Sequence, residues 1–500
     1  ALLAPAALLR LRRAAPHPWP PGSRLADAPG ALPLAPAAAL AALVLGSLSA
    51  AGAAVLTPTA ALALVGVAVP AALAATKLAR GLLWLVALLY LLPFAVYPLA
   101  LGALRPTFLD LTLVGLAGVW ALRLLASRRS PQVPAAGWAL LALVGLAAAA
   151  LLLGLPYGLP PENARLFAKL VAATLFFFVA RDLLADSGAR REVVALLVLA
   201  AGAAALVGVG LYLLPPPTAI ETLSALGPLG YPTGPAVLRY LPDGERLRAI
   251  GTSVDPNVFG AALMVAVVLI VAQVASPARA LPRPLLVGCT LAVGVALLLT
   301  LSRGSWVGTY AGLWFVAVAG RVRALAVALA MLPALALVTP GAERYVGHLV
   351  AGLQTADPAT VLRLTEYRQA VELISEHPWL GVGFGNAPDV DRYVGVSSVY
   401  LQIAEQMGLV GLAAYLVAIG LVFHHVLGRL GRAPERWTAV GALGALAAAL
   451  VAGAFDHHFF ELRFPHVATL FWLLAALAVA ASQPEAPGST CGPSRDAPSS

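Results

Sequence analysis

The chain has 500 residues, of which 60% are hydrophobic and only 11% are charged, and its formal net charge is +9. A soluble globular protein carries about 25% charged residues, so this composition excludes a water-soluble fold and predicts a protein that crosses a lipid bilayer many times. The positions of the arginines along the chain account for the positive charge, and we expect no nucleic-acid partner.

Both ends of the chain are polar and rich in proline. Residues 1–36 contain Pro16, Pro18, Pro20 and Pro21, which interrupt any long helix, and residues 483–500 are rich in Pro, Gly and Ser. We interpret both ends as disordered cytoplasmic tails. For the first, the alternative is a secretory signal peptide, whose apolar region the prolines would break.

Between the tails, residues 37–482 contain apolar segments close to the length of about 20 residues that a membrane-spanning helix needs. They are 37–56, 58–76, 82–103, 108–125, 136–154, 164–180, 193–213, 257–275, 284–301, 304–319, 324–339, 398–427, 438–455 and 464–482. The sequence therefore predicts an all-α fold, a polytopic bundle of about 14 transmembrane helices.

The distribution of Lys and Arg supports this count and gives the bundle an orientation. With both termini in the cytoplasm, every short cytoplasmic loop carries basic residues. Two long loops, residues 214–256 and 340–397, then face the outside of the cytoplasmic membrane. ATP is absent there and the sequence has no Walker motif, so a group transfer would use a donor that brings its own leaving group across the membrane.

The first outward loop ends in two arginines next to a predicted helix start. Arg246 and Arg248 precede Asp255-Pro256-Asn257, in which Asp255 suits the N-cap and Pro256 the first helical position. A helix N-terminus beside guanidinium groups favours phosphate. The alternative is a capped helix with solvated loop charges.

A third arginine, Arg303, interrupts a strongly apolar run and has no acidic residue near it in sequence. An ionisable group at such a position is costly and is by default a candidate functional residue. The alternative is an arginine whose head group extends to the membrane interface.

The second outward loop contains a predicted amphipathic helix, which begins at Asp357-Pro358 and ends near Glu376, before a proline. We expect it to lie on the bundle surface, with Arg363 and Arg368 towards water or substrate; the alternative is a lid with solvated charges. Its apolar stripe consists of Val361, Leu364, Tyr367, Val371 and Ile374.

Acidic and histidine residues gather in the last outward turn, at Asp456, His457, His458 and Glu461. This cluster could hold a base or a metal ion, and a polar turn between two helices is the simpler interpretation. The two cysteines, Cys289 and Cys491, are not expected to meet. Because the polar turn is the preferred interpretation and the cysteines lie apart, we expect no metal site, and we expect no cofactor.

Several motifs follow one another in a fixed order over residues 240–480. They are Arg248-Ala249-Ile250-Gly251-Thr252 with Asp255-Pro256-Asn257, Leu299-Thr300-Leu301-Ser302-Arg303-Gly304, Arg363 with Tyr367, His377-Pro378-Trp379-Leu380-Gly381-Val382-Gly383, Tyr400-Leu401 with Glu405, and Gly408-Leu409-Val410-Gly411-Leu412. In this order and spacing the chain resembles the O-antigen ligase and O-antigen polymerase superfamily of integral membrane glycosyltransferases.

The resemblance implies transfer of a glycan from an undecaprenyl-diphosphate carrier to an acceptor hydroxyl of a glycan, lipid or protein, at the outer face of the cytoplasmic membrane. It implies an inverting reaction without a metal, in which Arg248 and Arg303 bind the diphosphate and stabilise it as it leaves. The predicted catalytic residues are Arg248, Arg303 and His377, and the predicted substrate-binding residues are Arg246, Asn257, Arg363, Arg368, Ser397 and Glu405.

The chain departs from the family at one position. Ligases of this family place a His-Asn pair shortly before Tyr-Leu, and that histidine is taken to act as the base on the acceptor. Here the pair is Ser397-Ser398, and serine cannot serve as a general base at neutral pH. Either the acceptor chemistry differs, or another group acts, for which the candidates are His377, Glu405, His457 and His458. Ligase and polymerase both stay open.

Two other classes of protein compete with the enzyme. A transporter or flippase of lipid-linked glycans would place polar groups near the bilayer midplane and show repeated halves. The sequence has no clear repeat, and its charges gather in the outer loops. A scaffold without catalytic activity would explain the helices but not the outward arginines.

Overall fold

The computed structural model describes residues 66, 68–74, 77–97, 105–127, 133–241, 247–353, 358–384, 396–460 and 463–483. The first predicted tail, the first predicted span, most of the second and residues 484–500 lie outside these ranges. Over the described residues the chain is mostly helical, as predicted.

Helices follow one another along almost the whole described chain. In chain order they are α1 Gly81–Leu91, α2 Phe108–Ser127, α3 Ala135–Gly154, α4 Pro161–Leu183, α5 Ser187–Leu213, α6 Pro216–Ser224, α7 Pro256–Ala275, α8 Arg283–Leu299, α9 Arg303–Gly320, α10 Arg323–Val338, α11 Glu343–Leu353, α12 Pro358–Glu376, α13 Val399–Leu427, α14 Arg436–Ala452 and α15 Pro465–Ser482. Two short strands, β1 Arg239–Tyr240 and β2 Leu247–Arg248, pair antiparallel.

Among the described helices, six are long and apolar enough to cross a membrane: α2, α3, α5, α7, α13 and α15. The chain is therefore a multi-pass membrane protein built from helices. The total of about 14 spans and the outward position of the two long loops stay predictions.

The structure differs from the sequence prediction at one helix boundary and within both long loops. The span predicted for residues 82–103 is wrong, because α1 ends at Leu91, before a proline that cannot continue the helix. The loop 214–256 contains α6 and the β1–β2 hairpin, and the loop 340–397 contains a second helix, α11. α11 has a clear amphipathic period in the sequence, which the prediction overlooked, whereas β1 and β2 are too short to give one.

The buried core lies around α7, α14 and α15, and α15 is buried along its whole length. Small residues let α9 approach α14 closely, as is common between membrane helices. A Cβ atom at Gly312 on α9 would lie 2.7 Å from the carbonyl oxygen of Gly444 on α14. This packing fixes the start of α9 relative to the turn after α14, where the candidate site lies.

The glycine-rich run after α12 packs on a break in α13. Gly408 has φ 68° and ψ −177°, which interrupts the helix. The backbone N–H groups of Val382 and Gly383 donate to the carbonyls of Glu405 and Gln406 at 2.9 and 3.0 Å. The run thus satisfies backbone groups that the break releases, a requirement inside a membrane protein, and its glycines permit the close approach.

The bounds of α12 are confirmed, but the face that it buries is not the predicted stripe. Ala370 and Glu366 are buried, whereas Val361, Leu364 and Val371 are exposed. In a membrane protein an exposed apolar surface is compatible with lipid, so apolar periodicity alone does not identify the buried face. The polar edge of α12 faces the interior of the protein and contributes to the candidate site.

Candidate functional site

Arg248 lies on β2 and is held by neutral oxygen atoms. Its Nε donates to the carbonyl of Thr300 at 2.8 Å, and its Nη2 donates to Oδ1 of Asn257 at 2.5 Å. The backbone N–H of Ala249 donates to the carbonyl of Leu299 at 2.9 Å. These bonds place β2 against the turn between α8 and α9, so Arg248 stands beside the residues that lead to Arg303.

Asn257 is positioned by the predicted cap of α7. The Oδ1 atom of Asp255 accepts hydrogen bonds from the backbone N–H groups of Asn257 and Val258 at 2.8 and 3.1 Å. The N-cap assigned to Asp255, with Pro256 as the first helical residue, is confirmed. The side chain of Asn257 is thereby directed to Arg248.

The charge environment of Arg248 shows that several ionic groups converge. Burial lowers the pKa of Arg248 to about 10, so the guanidinium stays charged at neutral pH. The carboxylates of Asp255 and Asp456 oppose this shift, whereas the cations Arg363 and Arg303 add to it. Arg248 therefore lies within electrostatic range of residues at the start of α7, on α9, on α12 and in the turn between α14 and α15.

Arg303 is the first residue of α9 and contacts α11. Its Nη1 donates to the carbonyl of His348 at 3.4 Å, and Nε2 of His348 lies 3.1 Å from the carbonyl of Leu301. Ser302 is the N-cap residue of α9 but makes no side-chain cap bond. A pocket at this helix start is lined by Ser302, Gly304, Ser305, Asp456 and His458, among others.

Asp456 lies in the turn between α14 and α15 and binds groups from two elements. Its Oδ1 is 2.9 Å from Nε2 of His458 and accepts the backbone N–H of His457 at 2.9 Å. Its Oδ2 is 3.7 Å from Nη2 of Arg363 on α12. Burial by itself would raise the pKa of Asp456, but His458, His457 and Arg363 hold it well below its ordinary value.

Tyr367, one turn beyond Arg363 on α12, joins two loops. Its hydroxyl lies 2.9 Å from the carbonyl of Ser397 and 2.9 Å from that of Ala454. The backbone N–H of Ser397 donates to Oε2 of Glu366 at 3.0 Å. Burial raises the pKa of Tyr367, so the phenol stays a neutral donor. Ser397 is thus fixed beside the turn that carries Asp456.

Replacing Tyr367 by phenylalanine is expected to reduce the free energy of unfolding by about 1–3 kcal/mol, because buried carbonyls lose their donor. Thermal unfolding in detergent measures this effect. The matched control is Tyr212→Phe, since the hydroxyl of Tyr212 bonds to none of the described residues. An equal effect of both changes would contradict the bridging role of Tyr367.

The structure brings some of the predicted site residues together and separates others. Arg248, Asn257, Arg303 and Arg363 converge near Asp456, and Ser397 lies beside them. Arg368 is exposed on α12, and Arg246 lies outside the described residues. The roles of all these residues in substrate binding or catalysis stay predictions.

His377 lies beyond the far end of α12 from this group, and Glu405 lies within α13. His377 follows α12 about ten residues beyond Tyr367, roughly 15 Å along the helix axis. Glu405 is buried inside α13, where its carbonyl accepts from Val382. The described contacts place both residues at the break in α13, and their predicted catalytic and binding roles stay predictions.

Sequence reasoning found the cluster at Asp456 but not its partner. The only signal was a carboxylate and two histidines between two apolar segments; Glu461, the fourth predicted member, lies outside the described residues. Nothing in the local sequence pairs Asp456 with Arg363, ninety-three residues earlier, because that contact depends on how α12 packs.

A comparison with known families finds one match. The family model described as O-Antigen ligase matches residues 288–416. Residues 288–416 are therefore similar to this family. The resemblance predicted from the motifs is thereby confirmed, and it supports a membrane function in ligating or polymerising glycans. A search of curated proteins gives no match to the chain.

The residues that match the family model contain only part of the candidate site. Arg303, Arg363 and Ser397 lie within the matched residues, whereas Arg248 precedes them and Asp456 follows them. The site is therefore completed by β2 and by the turn between α14 and α15.

Proposed function

We propose that the protein transfers a glycan from an undecaprenyl-diphosphate carrier to an acceptor hydroxyl at the outer face of the cytoplasmic membrane. The observation that carries this proposal is the convergence of Arg248, Arg303 and Arg363 near Asp456. They come from β2, α9 and α12, and Arg248 is electrostatically coupled to the other two.

The charges of the site suit an anionic leaving group. Arg248 donates to neutral oxygens, so its positive charge is not cancelled by a hydrogen-bonded carboxylate. The start of α9 adds backbone N–H groups and the positive end of a helix dipole. A departing diphosphate gains negative charge, which fixed donors in a buried site stabilise more strongly than water does.

The reaction follows from this arrangement. The acceptor oxygen attacks the anomeric carbon while the bond to the diphosphate breaks on the opposite side, so the configuration inverts in a single displacement. The arginines hold the diphosphate in line and stabilise the negative charge that develops on it as it leaves. In this scheme the substrates are a lipid-linked glycan and a glycan, lipid or protein acceptor, the bilayer holds the carrier, and both termini are cytoplasmic.

The decisive experiment gives the purified protein, in lipid nanodiscs, a radiolabelled undecaprenyl-diphosphate glycan. Longer lipid-linked chains would establish a polymerase, and label on an added acceptor would establish a ligase. Both products are expected to form without added ATP. Movement of the label across proteoliposomes without any new glycosidic bond would identify a transporter and contradict the proposal.

A further inference from the structure

α12 carries a largely buried carboxylate into the candidate site. Glu366 is 8% exposed, and the backbone N–H of Ser397 donates to its Oε2 at 3.0 Å. Glu366 follows Arg363 by three residues, which places their Cβ atoms about 5–6 Å apart on one side of the helix. Arg363 in turn lies 3.7 Å from Asp456. One side of α12 therefore presents a cation and an acid to the same region of the protein.

The second oxygen of this carboxylate is available to a ligand. Among the described residues, Oε1 of Glu366 accepts no hydrogen bond and pairs with no cation, and it is not one of the polar atoms that the protein encloses. Burying a carboxylate costs free energy that hydrogen bonds or a cation normally offset. Here only Oε2 is bonded, so Oε1 can accept a hydrogen bond or a proton from a hydroxyl group that enters the site.

The bonds around Glu366 fix its position relative to the rest of the site. The hydroxyl of its neighbour Tyr367 is within 2.9 Å of the carbonyls of both Ser397 and Ala454. These bonds tie the backbone that Glu366 contacts to the turn that carries Asp456. The carboxylate is therefore held on a helix and beside the arginine cluster, as a group that acts on a bound substrate requires.

We propose that Glu366 is the general base that removes the proton from the acceptor hydroxyl. This proposal rests on the proposed glycan transfer. Oε1 of Glu366 takes the proton as the acceptor oxygen forms its bond to the anomeric carbon. The bond from that carbon to the diphosphate oxygen breaks, its electron pair leaves with the diphosphate, and the proton on Glu366 then passes to solvent.

This acid lies next to a position that lacks a base. Residue 397, where ligases of the family carry a histidine, is a serine in this chain, and serine does not act as a general base at neutral pH. The carboxylate of Glu366 bonds to the backbone of that same residue. Glu366 can therefore remove a proton from an acceptor that is bound beside Ser397.

The other acids and histidines are less suited to this step. Both ring nitrogens of His458 and Oε2 of Glu405 are enclosed by the protein, so an acceptor cannot reach these atoms. Asp456 has a pKa well below its ordinary value, which makes it a weak base. His377 lies beyond the end of α12 that is farther from the arginines.

Replacing Glu366 by glutamine keeps the size of the side chain and an oxygen that can accept from Ser397, but removes the ability to take up a proton. We expect the turnover number to fall by roughly 10²–10⁴-fold. The KM for a radiolabelled undecaprenyl-diphosphate glycan is expected to stay unchanged, because the arginines are intact. The matched control is Glu372→Gln, an exposed residue of the same helix, which is expected to keep the wild-type rate.

Replacing Glu366 by aspartate distinguishes a base from an anchor for Ser397. Glu366→Asp keeps a carboxylate but shortens its reach, whereas Glu366→Gln keeps the reach and the hydrogen bond. If Glu366 is the base, the aspartate variant turns over faster than the glutamine variant. If Glu366 only anchors the loop, the glutamine variant is the faster one, and that order would overturn the proposal.

A carboxylate added from solution provides an independent measurement. Replacing Glu366 by alanine leaves space beside Ser397, and sodium formate is expected to restore part of the lost rate in Glu366→Ala. Formate is not expected to restore the rate of Arg248→Ala, which lacks a cation. Thermal unfolding of each variant identifies a loss that is due to misfolding. If Glu366→Gln is unstable, formate decides the question, and a folded Glu366→Ala protein that formate does not activate overturns the base.

Two further outcomes separate the base from the proposed function. A wild-type rate in Glu366→Gln, or an equal loss in Glu372→Gln, would overturn the base while leaving glycan transfer intact. Absence of transfer by the wild-type protein would overturn the proposed function and the base together.

Discussion

Replacing Arg303 or Arg248 by alanine is expected to reduce the rate of glycan transfer by about 10²–10³-fold, and the double variant by more than either. Each guanidinium is proposed to stabilise charge that develops on the diphosphate as it leaves, in a partly buried site where water cannot substitute for it. The measurement is the initial rate with the radiolabelled lipid-linked donor in nanodiscs.

Two exposed arginines provide matched controls. Arg239 is the cross-strand partner of Arg248 in the β1–β2 hairpin, and Arg323 is the first residue of α10, as Arg303 is of α9. Their alanine variants are expected to retain wild-type rates, and all four proteins should purify as folded monodisperse species. Full activity in Arg303→Ala and Arg248→Ala would refute the proposed role of the arginines.

Replacing Gly312 by leucine is expected to destabilise the protein by about 3 kcal/mol or more, because the side chain must enter a closed helix contact. A Cβ atom there would lie 2.7 Å from the Gly444 carbonyl and 2.8 Å from Cβ of Ala448. Backbone atoms cannot move aside as a flexible side chain can, so α9 would separate from α14. Thermal unfolding in detergent and yield in the membrane fraction measure this loss.

The control is Gly420→Leu on α13, where an added Cβ meets no atom within 4 Å. This variant is expected to unfold close to the wild-type temperature, because its new side chain extends from an exposed helix surface. Since the contact between α9 and α14 also sets the start of α9 relative to Asp456, any Gly312→Leu protein that folds should transfer glycan slowly. A Gly312→Leu protein as stable and active as wild type would contradict this account of the packing.

The membrane class, most helix positions and the cap of α7 could be predicted because each depends on neighbours in sequence. Asp255 and Pro256 start α7 through bonds to the next residues, and the proline after His377 ends α12 for a local reason. The family motifs, and the serine at 397 in place of a histidine, were also readable without coordinates.

The buried face of α12 could not be read from the sequence. Its apolar stripe suggested that Val361 and Val371 face the bundle, yet both are exposed. A membrane protein has two apolar environments, lipid and core, so hydrophobicity does not distinguish them. As a result the inward direction of Arg363, on which the site depends, came only from the structure, whereas Tyr367 belonged to the predicted stripe and does face inward.

The sequence by itself determined that this protein is a multi-pass helical membrane protein, with motifs that resemble those of O-antigen ligases and with arginines predicted to face outward. The tertiary structure decided which charges meet. Arg248, Arg303, Arg363 and Asp456 come from four separate elements, and their convergence follows from long-range packing of helices. Such contacts depend on how helix surfaces that are distant in sequence fit together, including the close approach of helices at glycines. The local sequence around each residue does not contain that information.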